Sequence, residues 1–252
     1  MTASWRKARW KLSPGKNTDR QVGYSGVPLT SVAESVTFDP GLNLEREASY
    51  IKTVEVPSFR VWRSTDSVVL GRFLEPGDEV YLDRARILDV PVLRRPSGGG
   101  AVFHDLGNVN YSIYLPRGHA PSFGIEESLR ALSFPVTNLL DSLGVPWSWE
   151  PPNNVYVLGR KISGSAQARS GGRLLHHGTL LVSTDLERMG QLLKPGGRSR
   201  IAPVVNLSEL VRNITVEETE QLLHATLRRR AREPFPKKPD SARTDKWEMS
   251  RC

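Results

Sequence analysis

A chain of 252 residues is long enough to bury a full core as one domain, and 38% hydrophobic residues with 21 glycines is ordinary for a globular protein. One cysteine excludes an intramolecular disulfide framework, and no run approaches the roughly twenty apolar residues of a membrane helix. The net charge of +8 sits at the ends: residues 1–20 hold six Lys/Arg and one acid, and residues 228–252 hold nine and four. The body from 21 to 227 holds 20 basic and 22 acidic residues, which argues against a nucleic-acid groove.

Residues 1–30 read as a basic, poorly ordered lead without the apolar core of a secretory signal. A cytoplasmic location is expected, or a mitochondrial or plastid matrix in a eukaryotic source. Leu42–Ile51 suits a first helix, followed by strands at Phe59–Trp62 and Val68–Gly71. Asp78–Asp89 carries Val80, Ala85, Ile87 and Leu88 at helical spacing. Strands Val92–Arg94, Ala101–His104 and Asn110–Tyr114 then frame a glycine loop. Glu126–Leu143 places Leu129, Leu132, Val136, Leu139, Leu140 and Leu143 on one face, with Pro135 predicting a kink or break. Strands Val155–Leu158, Lys161–Gln167 and Leu174–Val182 follow, then a helix over Leu186–Leu193. Thr215 and Glu218 form a capping box opening a last helix that runs to about Arg230. Hairpin-rich strands with helices alongside predict an α+β fold.

Two segments carry chemistry. Gly98, Gly99 and Gly100 follow Arg94 and Arg95, and a loop without Cβ atoms lets backbone N–H groups approach an anion. The plain alternative is a tight turn. The second segment, Asn153 to Leu181, holds Lys161 among Gly159, Ser163 and Gly164, where small and apolar residues alternate as in a strand with a close backbone neighbour. A surface lysine beside a hairpin fits equally. His176 and His177 suit a packed imidazole pair, and they have no nearby carboxylates or thiols at zinc-ligand spacing.

Taken together, Arg94–Asn108 (RRPSGGGAVFHDLGN), Asn153–Val155, Gly159–Ala166 (GRKISGSA) and His176–Leu181 (HHGTLL) resemble the lipoate–protein ligase A family. That family belongs to the biotin/lipoate ligase superfamily, which includes octanoyltransferases. Asp39–Leu44, Val69–Phe73 and Val205–Leu210 resemble further family segments. The likeness covers roughly residues 36–248 and implies mixed, largely antiparallel sheets flanked by helices, with the catalytic domain at 31–235. It implies ATP-dependent activation of lipoate to lipoyl-AMP, with Mg2+ accompanying the nucleotide. Transfer then follows to a lysine of a lipoyl carrier domain, of the 2-oxoacid dehydrogenase E2 or glycine cleavage H protein type. By position, Lys161 matches the active-site lysine. Arg95, Gly98, Gly99, Gly100, Ala101, Val102 and Phe103 match nucleotide or acyl-adenylate contacts, as do Asn153, Asn154, Gly164, Ser165, His177, Gly178 and Thr179. Val102, Phe103 and Leu180 are expected to line an apolar slot for the acyl tail.

Three departures accompany the likeness. Asn154 stands where the family has Asp, and Leu74 where it often has Gln or Asn. The tail at 236–252 resembles the junction to an accessory domain but ends at Cys252, so a separate accessory subunit is an expected partner. The related octanoyltransferases carry the acyl group on a cysteine thiolate without ATP. Here the stretch Trp147–Val157 has no cysteine, which disfavours that alternative. His104 and Asp105 point to opposite faces of a strand and form no dyad. Ser97 and Ser163 read as hydrogen-bonding groups rather than nucleophiles, and Trp62 as a core or rim aromatic. No membrane or nucleic-acid partner is expected.

Overall fold

A computed structural model describes residues 29–121, 124–195 and 203–230. The basic tail at 236–252, Cys252 and nearly all of the lead at 1–30 lie outside the described residues. Helix α1 (Pro40–Thr53) starts where the Asp39 carboxylate accepts the Leu42 N–H at 2.7 Å and Pro40 enters the first turn. Its buried face carries Asn43, Leu44, Glu47 and Ile51.

Seven strands form the main sheet: β1 (Thr30–Ser31), β2 (Ser58–Trp62), β6 (Asn108–Leu115), β7 (Ser148–Glu150), β8 (Asn154–Val157), β9 (Arg160–Ser170) and β10 (Arg173–Leu181). Their order is β1-β2-β6-β10-β9-β8-β7, antiparallel throughout except for β1 beside β2. A small sheet holds β4 (Val92–Arg94), β3 (Ser67–Leu70) and β5 (Val102–His104), with β3 central. The expected strands are all present. β9 runs longer than expected, and β10 starts one residue earlier, because Gly171 and Gly172, both at positive φ, close a two-residue hairpin.

Strand alternation divides the main sheet into two faces. Val109, Tyr111, Ile113 and Leu115 of β6 pack with Leu174 and Leu180 of β10 against α5 (Phe134–Ser142) and α7 (Val216–Arg230). Each fully buried Leu or Phe there contributes about 1.5–3 kcal/mol. The other face sets Tyr114 and Leu175 against Ile51 of α1. Phe103 joins a separate cluster between the small sheet and α3 (Leu82–Ile87) and α6 (Leu186–Leu192).

The single helix expected over Asp78–Asp89 is two, α2 (Pro76–Glu79) and α3. Val80 between them is extended and bridges Leu193, while the Tyr81 N–H donates to Leu192 O at 2.9 Å. Tertiary pairing overrides helical spacing there. At Pro135 the expected break occurs: α4 (Ile125–Leu132) ends at Ser133, and α5 begins with the proline in its first turn. β7 and a 3-10 turn at Leu207–Glu209 have no counterpart in the sequence reading. β7 is three residues bounded by Pro146 and Pro151, too short to show a period.

Candidate active site

A cavity of about 820 Å3 opens where the two sheets meet. Its wall takes Trp62 from β2, Gly99–Val102 and His104 from the small sheet, and Asn110 from β6. Glu150–Asn154 and Tyr156 close one side, Lys161 and Gly164–Ala166 of β9 form the floor, and His177–Thr179 of β10 complete it. Such a volume suits a cofactor-sized ligand.

The glycine loop is wrapped around Arg95. Arg95 Nε donates to Ser97 Oγ at 2.9 Å and Nη1 to Val69 O at 3.0 Å, while Nη2 donates to Gly98 O and Gly100 O, both at 2.7 Å. Four of its five N–H donors are thus committed to protein oxygens. Arg95 thus shapes the loop and supplies charge to the cavity it lines, with one Nη1–H donor not committed to these oxygens. Burial lowers its pKa to about 10, against the attraction of Glu47. Gly99 lies at φ 88°, and a Cβ on Gly71 would run into the Gly99 carbonyl, so both glycines are required for the loop to seat.

Lys161 is half-buried on β9. Its backbone is clamped by the Pro203 carbonyl at 2.7 Å and the Val205 N–H at 3.0 Å. Burial, reinforced by repulsion from Arg95, lowers its pKa to about 8. None of the ion pairs among the described residues involves it. Asn153 Nδ2 donates to Ser165 O at 2.5 Å and Asn153 O accepts the Ser165 N–H at 3.0 Å, which pins β9 beside it. Asn154 sits opposite Gly164 across β8–β9 and opposite Glu150 across β7–β8.

Alternation sends the two adjacent histidines apart. His176 faces the core, within 3.3 Å of the Tyr111 hydroxyl, and burial pushes its pKa well down. His177 reaches the cavity, with Nδ1 2.9 Å from Glu47 Oε2 and Nε2 2.6 Å from Ser97 Oγ. Glu47 is fully buried. Burial alone would raise its pKa, but attraction to His177 and hydrogen bonds from His177 and Ser112 hold it below the usual carboxylate value. Thr179 donates to Asn110 Oδ1 at 2.6 Å and meets His104 Nε2 at 3.2 Å, leaving Asn110 Nδ2 without a hydrogen-bond partner among the described residues. Burial, then Arg95, lowers the His104 pKa to about 3, so that imidazole is neutral, set edge-on to Trp62. Asp105 instead accepts the Gly107 and Asp185 N–H groups, as a pair pointing apart requires.

All the expected site residues except Gly98 and Phe103 reach the cavity wall. The expected acyl slot is corrected in part: Val102 lines the cavity, whereas Phe103 and Leu180 face the two cores. The strand period alone excludes them, since Val102 and His104 occupy one face of β5 and His177 and Thr179 one face of β10. Leu74, Trp62, Val102 and Ala166 supply apolar wall instead. Glu47, Asn110, Glu150 and Tyr156 escaped the sequence reading. Glu47 had a signal, as a carboxylate between Leu44 and Ile51 on the buried stripe of a helix.

Architecture and cavity define a catalytic domain of the lipoate-ligase type. A profile of the lipoyl protein ligase A/B catalytic domain matches residues 39–228, and the chain belongs to that family. A lipoate-protein ligase A of Psychrobacter cryohalolentis is 34% identical over 207 residues, covering 78% of this chain and 56% of that protein. A relative from Aeropyrum pernix is 39% identical over 165 residues, 64% of this chain and 61% of its own length. The chain therefore spans less than two thirds of the curated relatives it matches. Among solved structures, the bi-partite lipoate protein ligase of Thermoplasma acidophilum, described with its E2 lipoyl domain, superposes with TM-score 0.68 at 27% identity over 79% of this chain and 81% of that one. A lipoate-protein ligase A bound with ATP gives 0.68 at 26% identity, over 79% and 83%. A T. acidophilum protein with bound lipoic acid gives 0.69 at 26%, with the same coverage.

Proposed function

We propose that this domain, residues 31–235, joins lipoate to ATP to form lipoyl-AMP and pyrophosphate, then passes the lipoyl group to a lysine of a lipoyl carrier domain. The observation that carries this reading is the placement of Lys161, which joins no ion pair among the described residues, on the wall of the same 820 Å3 cavity as the glycine loop. A carboxylate attacking an α-phosphate brings two anions together, and Lys161 offsets their charge from a fixed position. In the second step a carrier lysine attacks the acyl carbonyl and AMP departs, and the same ammonium stabilises the oxyanion. Gly99, Gly100 and Ala101 approach the phosphates closely, while Asn153, Ser165, Gly178 and Thr179 shape the surface that the nucleotide and acyl group meet. Similarity to the ATP-bound and lipoic-acid-bound structures supports both ligands.

The donor set fits a magnesium ion carried by the nucleotide, which takes one or two carboxylates with phosphate and water. Among the described residues Glu150 is the acid on the cavity wall, and Asn154 beside it offers an amide oxygen. When bound, that ion would neutralise the charge of the leaving pyrophosphate. Glu150 thus takes the place of the carboxylate that Asn154 lacks. The acceptor is a lipoyl domain of the E2 or H-protein type, and a separate accessory subunit assists as in a bi-partite system. Among the described residues no cavity residue is a cysteine, which disfavours the cysteine-relay alternative.

Intact mass of an apo-lipoyl domain tests this, comparing lipoate plus Mg-ATP with an octanoyl carrier protein without ATP. A lipoyl mass gain requiring ATP is expected. A gain from the octanoyl carrier alone overturns the ligase reading.

A further inference from the structure

Four side chains form one continuous line from helix α1 to the cavity loop. Glu47, with no exposed surface, accepts the Ser112 hydroxyl at 2.6 Å and holds His177 Nδ1 at 2.9 and 3.0 Å from its two oxygens. His177 Nε2 is 2.6 Å from Ser97 Oγ, and Ser97 Oγ accepts Arg95 Nε at 2.9 Å. Arg95 then holds Gly98 O and Gly100 O, both at 2.7 Å. Arg95 can only donate, so Ser97 Oγ accepts from it. The Ser97 hydroxyl proton then goes either to His177 Nε2, or to Gly98 O at 3.5 Å with His177 Nε2–H donating to Ser97 Oγ. In both arrangements His177 Nδ1–H donates to Glu47.

Serine, imidazole and carboxylate in this order have the connectivity of a nucleophilic triad. The serine here cannot serve as one. It is 1% exposed, stands off the cavity wall and is capped by a guanidinium on its oxygen. Serine and histidine are 80 positions apart and histidine and glutamate 130, so the line ties together segments that the local chain does not.

We infer that Glu47 is a positioning residue: through His177, Ser97 and Arg95 it sets the shape of the glycine loop and hence nucleotide affinity. This rests on the ligase reading for its catalytic consequence, while the loop geometry stands apart from it. A buried carboxylate bonded to the charged or polar end of a relay stiffens each member in turn, and loss of one end releases the rest.

Two measurements on the full chain test it, using Glu47→Gln, Ser97→Ala and the double variant. Amide hydrogen exchange over 97–101 in the ligand-free protein is expected to quicken by about tenfold in Glu47→Gln, with the sheet core unchanged. Lipoate-dependent AMP formation should show KM for ATP raised by about tenfold with kcat changed less, since the loop binds rather than reacts. If the relay acts in series, the double variant is no worse than the worse single one. Ser97→Ala removes one hydroxyl without burying a charge, and decides the matter if Glu47→Gln does not fold. Unchanged loop exchange in a natively folded variant overturns the inference, as does full additivity of the two substitutions or covalent labelling of Ser97 by a fluorophosphonate. If wild type forms no AMP, the ligase reading fails, and hydrogen exchange still decides the relay.

Discussion

A Cβ on Gly164 would stand 2.9 Å from Lys161 Nζ and 3.0 Å from its Cε, so the absence of a side chain at one residue makes the place for the ammonium of the other. The two sit three positions apart on β9, where a bulge in its pairing with β8 brings Lys161 opposite Tyr156 and Gly164 opposite Asn154. Gly164→Ala should therefore displace the ammonium rather than the strand. A lysine end is flexible, so Tm is expected to fall by less than about 4 °C, the change that roughly 1 kcal/mol makes in a chain of this size. AMP formation is expected to drop by about 100-fold, the scale of a reacting group misplaced by an ångström. Activity within twofold of wild type would refute the assignment of Lys161.

The charge state of Lys161 gives a pH dependence with a definite sign. Burial and Arg95 bring its pKa to about 8, so the rate of adenylation should decline as pH rises through that value. Stability moves the other way. Between about 8 and 10.5 the unfolded chain binds the proton that the folded one has released, so this group adds stability as pH rises through that window. At pH 7 the buried ammonium is a cost, and Lys161→Met should raise Tm by roughly 2–4 °C while abolishing AMP formation. A melting curve and an assay on the same sample suffice, and a lowered Tm would count against the burial argument.

Glu150→Gln keeps the shape of the wall and removes its carboxylate. The expected result is a magnesium requirement raised by about fivefold or more at fixed ATP, with KM for lipoate unchanged. Magnesium titrations that superpose on wild type would remove Glu150 from the nucleotide end of the cavity.

Asn110 and Gly164 flank Thr179 on neighbouring strands, which separates them by about 10 Å, the reach of a lipoyl chain whose carboxyl lies at Lys161. Asn110, on the cavity wall, is then the amide that would donate to the dithiolane, whose sulfurs are weak acceptors that a hydrocarbon tail lacks. Asn110→Leu should raise kcat/KM for octanoate relative to lipoate by about tenfold. An unaltered ratio would place the acyl tail elsewhere.

By itself the sequence determined what depends on near neighbours. The strands β9 and β10, the break at Pro135 and the glycine loop are written in period and turn chemistry, and the expectation for Lys161 in the resemblance of its motif. These signals act over a few residues and survive without a partner. The tertiary structure decided what distant segments do to one another. Val80 leaves a helical pattern because Leu193 pairs with it, and Arg95 donates to four protein oxygens that shape the glycine loop. Glu47 enters the site across 130 positions because its fully buried carboxylate must be satisfied, and His177 and Ser112 do so. A buried polar group must be satisfied wherever the fold sets it, and no local pattern announces the group that will do so.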